Sequence, residues 1–315
     1  MENKSLDEFL RVKEEFLRLN KEFLRIEKKL SQFETHIRMS NRYENFDSIF
    51  INELHSWVDI TKVDTQFIRL LSENENSVYY LTQNPEKINW LRLSKNPNAI
   101  PLLELNLDKI NWDYISCNPN AIHLIEKNLD KVSWDSLSAN PNAIDLLEKN
   151  PDKIDWESLS ANPNAIHLLE KNPDKVNWYY LSENPNAIHI LEKNIGKINW
   201  SLFSRTLSNS INYNNIIEKY FDKLDWQYLS MNPNAIHILE KNLDKVSWLN
   251  LSTNPNAIEL LEKNPDKIDW NYLSANPNAI HLLKDNQDKI CWNLLSSNPS
   301  IFNKNINYEF LKIKI

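Results

Sequence analysis

Five of the seven histidines, His123, His167, His189, His237 and His281, occupy one position of a repeated motif. Imidazole is a common metal ligand, so such a ladder invites a metal site. Stacked helices lie about 8–10 Å apart, whereas zinc holds its ligands at about 2 Å. Consecutive ladder members therefore cannot easily share an ion, and the same slot also accepts Pro101, Asp145 and Glu259. The histidines read as a solvated face with a candidate role in surface recognition. Neither a metal nor another cofactor is expected.

A lysine recurs in every loop: Lys87, Lys109, Lys131, Lys153, Lys175, Lys197, Lys223, Lys245, Lys267 and Lys289. On a basic background these would track phosphates. The background is acidic, with 36 Lys+Arg against 43 Asp+Glu and a net charge of −7. Residues 1–46 are near neutral, with 10 basic and 9 acidic side chains, so the repeats carry the excess. Most of the lysines follow an aspartate, as in Asp152-Lys153, which neutralises them locally. Ion pairing between neighbouring units is expected, and neither nucleic acid nor an anionic membrane is an expected partner.

Serines are as regular: Ser72, Ser94, Ser116, Ser138, Ser160, Ser182, Ser204, Ser230, Ser252, Ser274 and Ser296. A nucleophile needs one serine singled out by a base. Eleven equivalent copies instead imply packing, with the hydroxyl bonding a preceding carbonyl. The single glycine, Gly196, cannot build the glycine-rich phosphate loops of nucleotide-binding enzymes. An enzyme is not expected. Cys117 and Cys291 are too few for a disulfide framework and suit a reducing, cytoplasmic setting. No stretch is apolar enough to span a membrane, and the charged start at Met1 is unlike a secretion signal.

What positions these ladders is a repeat of 22 residues. Trp90, Trp112, Trp134, Trp156, Trp178 and Trp200 keep that spacing, then after one step of 26 come Trp226, Trp248, Trp270 and Trp292. A typical unit, residues 137–158, reads LSANPNAIDLLEKNPDKIDWES, and about eleven units fill residues 71–301. Asn140-Pro141 places a cap residue before proline, the pairing that opens a helix. At 100° per residue Ala143, Ile144, Leu146 and Leu147 share one arc, opposite Asp145, Glu148 and Lys149. Pro151 ends that helix. Asp155 then caps a second one, in which Trp156, Leu159 and Ser160 point inward and Glu157, Ser158 and Ala161 outward.

Helices of about two turns are unstable alone, so each unit must stack on its neighbours. The expected fold class is all-α: an elongated α-solenoid of about eleven two-helix repeats. Between Trp200 and Trp226 four extra residues, near 203–210, should lengthen one helix and shift the superhelix. Residues 41–70 read as a degenerate first unit or N-cap, and 302–315 as a C-terminal cap.

Residues 1–40 follow a different period, with Phe9, Val12, Phe16, Leu19, Phe23, Ile26 and Leu30 alternating by three and four along one helix. This seam is a candidate self-association surface that makes a homo-oligomer; the competing reading is a helix packed on the first units.

The unit LSxNPNAIxLLEKNPDKIxW, as it stands in residues 137–156 and 251–270, resembles the Asn-rich short repeats found in many copies in proteins of giant DNA viruses of the mimivirus kind. The resemblance covers about residues 71–300. It implies a helical repeat protein of viral origin, in host cytoplasm or virion, with no activity or site residues to carry over.

Between copies, Trp, Ser, Leu-Leu and Asn-Pro hardly vary. The histidine slot, the two residues after Trp and the residue before Asn do. Tyr114, Tyr180, Tyr228 and Tyr272 recur in the second slot after Trp, and aromatics are enriched at binding hot spots. With the histidines they form the candidate interaction surface of a protein–protein interaction scaffold or adaptor. The alternative is a structural virion or filament component.

Overall fold

The computed structural model describes residues 50–60, 63, 65–206 and 216–306. The heptad segment of residues 1–40, with its candidate self-association residues, lies outside them, as do 207–215 and 307–315. The chain divides into two compact units, Met1–Ile51 with Lys304–Ile315, and Asn52–Asn303. The second unit holds the repeats.

It is an all-α repeat solenoid. In a representative repeat one helix runs Trp156–Ala161 and a second Ile166–Lys171, followed by a 3-10 turn over Pro173–Lys175. The two are named the Trp helix and the Ile helix of each repeat. The Asp155 side chain accepts the Ser158 N–H at 2.8 Å, the N-cap that the sequence predicts. Asn89, Asn111, Ser133, Asn177, Asp225, Ser247 and Asp269 do the same in their repeats.

Asn-Pro-Asn opens the other helix less directly than expected. The Asn162 side-chain oxygen accepts the N–H of Asn164 at 3.0 Å, closing a tight turn that delays the α-helix to Ile166. In later repeats the turn is a 3-10 helix over Pro233–Ala235, Pro255–Ala257 or Pro277–Ala279. At the far end Asn172 donates from its side-chain amide to the Leu168 carbonyl at 2.9 Å, satisfying a helix C-terminal acceptor.

Leu159, Ser160, Asn162, Ala165, Leu168 and Leu169 are buried and form the core between layers. The indoles are only half-buried, and several lie under the lysine of the turn that ends their own repeat. The Lys175 ammonium lies 4.6 Å from the Trp156 ring centre, and Lys131, Lys197, Lys245 and Lys289 lie 4.3–5.1 Å from Trp112, Trp178, Trp226 and Trp270. This corrects the expected inter-unit ion pairing: these lysines cover the ring of their own repeat, while Lys109 and Lys267 pair with the aspartates beside them, Asp108 and Asp266.

The first repeat starts earlier than residue 71. Its Trp helix is Thr65–Leu71, with Ile68 in the Trp register and Phe67 buried. The smaller side chain leaves a shallow cavity of about 320 Å³ lined by Ile68, Arg69, Glu86 and Asn89. Of residues 41–70, read as a degenerate first unit or N-cap, the last six begin this helix and β1 (Phe50–Leu54) precedes it. After the last 3-10 turn, Pro299–Ile301, β2 (Phe302–Ile306) replaces the Ile helix and pairs with β1.

At the four-residue insertion the Trp helix is lengthened to Trp200–Thr206. Among the described residues, bonds to Ser204 still cross the insertion. Asn232 still donates to the Ser204 carbonyl at 3.0 Å, and the Asp225 N–H to the Ser204 hydroxyl at 2.9 Å.

Candidate functional site

Each junction between repeats is built by the ladders that look like chemistry in the sequence. The buried Asn162 amide donates to the main-chain oxygens of Ser138 and Asn140 in the preceding repeat, both at 2.9 Å. Asn164 donates to the Pro141 oxygen at 2.8 Å. Ser138 donates its hydroxyl proton to the Trp134 carbonyl at 2.7 Å and accepts the Asp155 N–H at 3.0 Å. The carbonyl bond is the one read from the sequence; the acceptance from the next repeat is additional. With both roles filled, the serine hydroxyls are structural cross-links. Together with the Asn172-type helix ends, these bonds use three asparagines in a repeat, a structural reason for 47 asparagines in the chain.

The same bonds join the last repeat to the first. Asn74 donates to the oxygens of Ser296 and Asn298 at 2.9 and 3.0 Å, and Asn76 to that of Pro299 at 3.0 Å. Thr65–Leu71 packs on Trp292–Leu295 as any Trp helix packs on its neighbour. The solenoid of eleven repeats is thus a closed circuit, where an elongated one was expected. β1 and β2 complete it beside the junction, where the His55 N–H donates to the Ile301 oxygen at 2.9 Å.

Closure gives the two helix layers different spacings. Many consecutive Trp helices pack directly on one another, for example Trp134–Ala139 on Trp156–Ala161, more closely than any consecutive Ile helices do. Short side chains reach main-chain oxygens on the Trp side. On the Ile side the gap is bridged by two long side chains end to end: His123 with Glu104, His167 with Glu148, His189 with Glu170 and His281 with Glu262, at 2.8–2.9 Å. In a closed two-layer array the closer layer is the inner one. The exposed arc of the Trp helices therefore faces the centre.

That arc holds the first, second and fifth residues after Trp. Large exposed apolar and aromatic side chains gather there: Leu91, Tyr114, Tyr179, Tyr228, Leu249, Tyr272 and Leu294, from Leu294 at 36% exposed to Tyr179 at 53%. Tyr180 lies on it too, and its hydrogen bond to the Glu157 carboxylate raises its pKa.

The predicted surface thus separates into two. Tyr114, Tyr180, Tyr228 and Tyr272 belong to the inner arc. His123, His167, His189 and His281 belong to the opposite layer, where they tie repeats together, and His237 holds the same register there. Leu91, Tyr179, Leu249 and Leu294 were missed, although they follow Trp on the same wheel as the tyrosines. Charge is uneven along the arc. Arg92 and Lys95 converge on Glu73, at 2.7 and 3.1 Å, and Arg205 bonds Glu183 at 2.5 Å. The hydrogen bond and charge of Glu73 raise the pKa of Lys95. Asp113, Asp135 and Glu157, one in each of three successive repeats, have no ion pair among the described residues.

Among the described residues no group of three His, Cys, Asp or Glu could hold a metal ion, and no helix is long and apolar enough to cross a membrane. Closed circuit, short helices and amide-linked junctions define the class as an all-α repeat protein. No protein-family model, curated protein or solved structure matches the chain.

Proposed function

We propose that the chain is a protein–protein interaction scaffold whose inner Trp-helix arc holds a polypeptide partner. One observation carries this reading: the positions that vary between repeats coincide with the exposed aromatic and aliphatic side chains of that arc. Tyrosine and leucine in water without a folding role are available to be buried by a partner. In this reading the heptad seam of residues 1–40 brings copies together, and the setting is cytoplasmic, in a host cell or virion if the viral resemblance carries over. A filament built by stacking arrays end to end is less favoured, since a closed circuit offers no free repeat ends.

Affinity capture from cell lysate with the full chain, read by mass spectrometry, tests it. Tyr114→Ala/Tyr228→Ala/Tyr272→Ala should lose specific partners that His123→Ala/His167→Ala/His281→Ala retains. Equal capture by both variants, or recovery of the chain alone, would remove the inner arc from this role.

A further inference from the structure

Resting on the scaffold reading, the geometry points to an extended basic polypeptide, with Lys or Arg at every third position, as the occupant of the arc formed by the repeats of Trp112, Trp134 and Trp156. Asp113, Asp135 and Glu157 occupy the same register in these repeats, immediately after the tryptophan, and all are exposed. The Ser133 hydroxyl bonds the Asp135 carboxylate and, with the Ser136 N–H, lowers its pKa. Glu157 accepts the Tyr180 hydroxyl. The row therefore presents three carboxylates without a cation of its own.

The row also has ends. At the fifth residue after Trp its side chains are small: Cys117, Ala139 and Ala161. At the same register the flanking repeats carry the long side chains Lys95 and Glu183. At one end Arg92 and Lys95 share Glu73, which leaves one positive charge there, and at the other Glu183 is paired with Arg205, so the three unpaired carboxylates lie between these ends. Tyr114 lies within the row, and Tyr179 and Tyr180 close it, offering flat faces to aliphatic stems or guanidinium groups.

Spacing selects the conformation of the occupant. Neighbouring Trp helices stand about 8–10 Å apart, and three residues of polyproline II or extended chain advance about 9–10 Å. Polyproline II has 3 residues per turn, so every third side chain falls on one face. A lysine at each third position meets one carboxylate per repeat, in register. Adjacent lysines cannot do this, because two of every three then point away.

Two fluorescein-labelled ten-residue probes of identical composition, alanine and proline with three lysines, test the proposal by anisotropy on the full chain. One places the lysines at every third position and the other places them together. The spaced probe should bind at least tenfold more tightly. Asp113→Asn/Asp135→Asn/Glu157→Gln should abolish that preference, while a chain with His123→Ala/His167→Ala keeps it. Circular dichroism checks that the neutralised variant is folded, and single neutralisations, each expected to weaken binding severalfold, serve if it is not. Equal affinity for the two probes, no binding of either, or unchanged binding by the neutralised chains would overturn the basic-segment assignment. Loss of lysate partners on tyrosine replacement would then still support the scaffold, so the two readings fail separately.

Discussion

Asn74 donates its side-chain amide to the main-chain oxygen of Asn298, 224 residues away, at 3.0 Å. Asn96 donates to the oxygen of Asn74 itself at 2.7 Å, only 22 residues away. The chain thus closes with the bond by which it grows. No junction is an end, and each terminal repeat has the partner that a capping repeat supplies in an open array.

Asn162 separates a cap from a clamp. As a cap alone it would tolerate aspartate, which accepts the Asn164 N–H equally well. As a clamp it must donate, and a carboxylate would face the Ser138 and Asn140 oxygens in a buried site. Each buried acceptor left without its donor costs about 1–3 kcal/mol. Asn162→Asp and Asn162→Ala should therefore each lose about 3 kcal/mol or more in urea melts, and a near-neutral aspartate variant would reduce the residue to a cap.

Closure predicts coupling between distant segments. Asn74→Asp removes the amide bonds to Ser296 and Asn298, so backbone N–H groups on both sides of that junction should lose hydrogen-exchange protection together. Mass spectrometry of exchanged peptides reads residues 66–77 and 292–301 separately. Faster exchange confined to the first peptide would mean that the junction does not hold the circuit.

Burial ranks the side chains of one repeat. Leu159 is fully buried, and leucine truncation in a packed core costs about 2–5 kcal/mol. Trp156 is only partly buried beneath Lys175, so its truncation should cost less than a fully buried tryptophan's usual 3–5 kcal/mol or so. The His167 and Glu148 side chains are 46% and 45% exposed, and such surface pairs contribute about 0–1 kcal/mol. Denaturant melts should rank Leu159→Ala above Trp156→Ala above His167→Ala. A larger loss for His167 than for Leu159 would reverse the assignment of faces.

The period, the helix types and the second cap are legible in the sequence because each depends on neighbouring residues. Asp155 caps and Leu159 is buried whatever lies twenty residues away. Closure is different, since it sums a small rotation over every junction, and no single unit encodes that sum. One trace survives: Asn74 and Asn76 keep the clamp register although no repeat precedes them, a pattern of no use to an open end. The role of Asn162 was half legible, since its oxygen works within the repeat while its amide works between repeats. The inner arc was legible in Tyr114, Tyr228 and Tyr272, because they vary in an outward slot. The histidines were legible as a solvated face, but their bonds to Glu104, Glu148, Glu170 and Glu262 of the preceding repeats were not, since those depend on how far apart the Ile helices stand.

His55 gives the closing strands a dependence on pH. It stacks on Trp57 with ring centres 6.0 Å apart, and its Nδ1 accepts the Asn303 side-chain amide at 2.9 Å. Burial lowers its pKa from 6.5; the Ser300 main-chain hydrogen bond raises it, and the Lys284 charge lowers it further. A proton on Nδ1 would set two donors against each other. The unfolded chain takes up that proton first, so the stability due to neutral His55 is present above about pH 6.5 and is lost as pH falls through the lower folded value. The expected outcome is a melting temperature that drops less between pH 7.5 and 5.5 in His55→Gln than in the parent chain. Other titrating groups are common to both and cancel in the difference. A parent and variant that lose stability equally would mean that His55 stays uncoupled from the fold as it titrates.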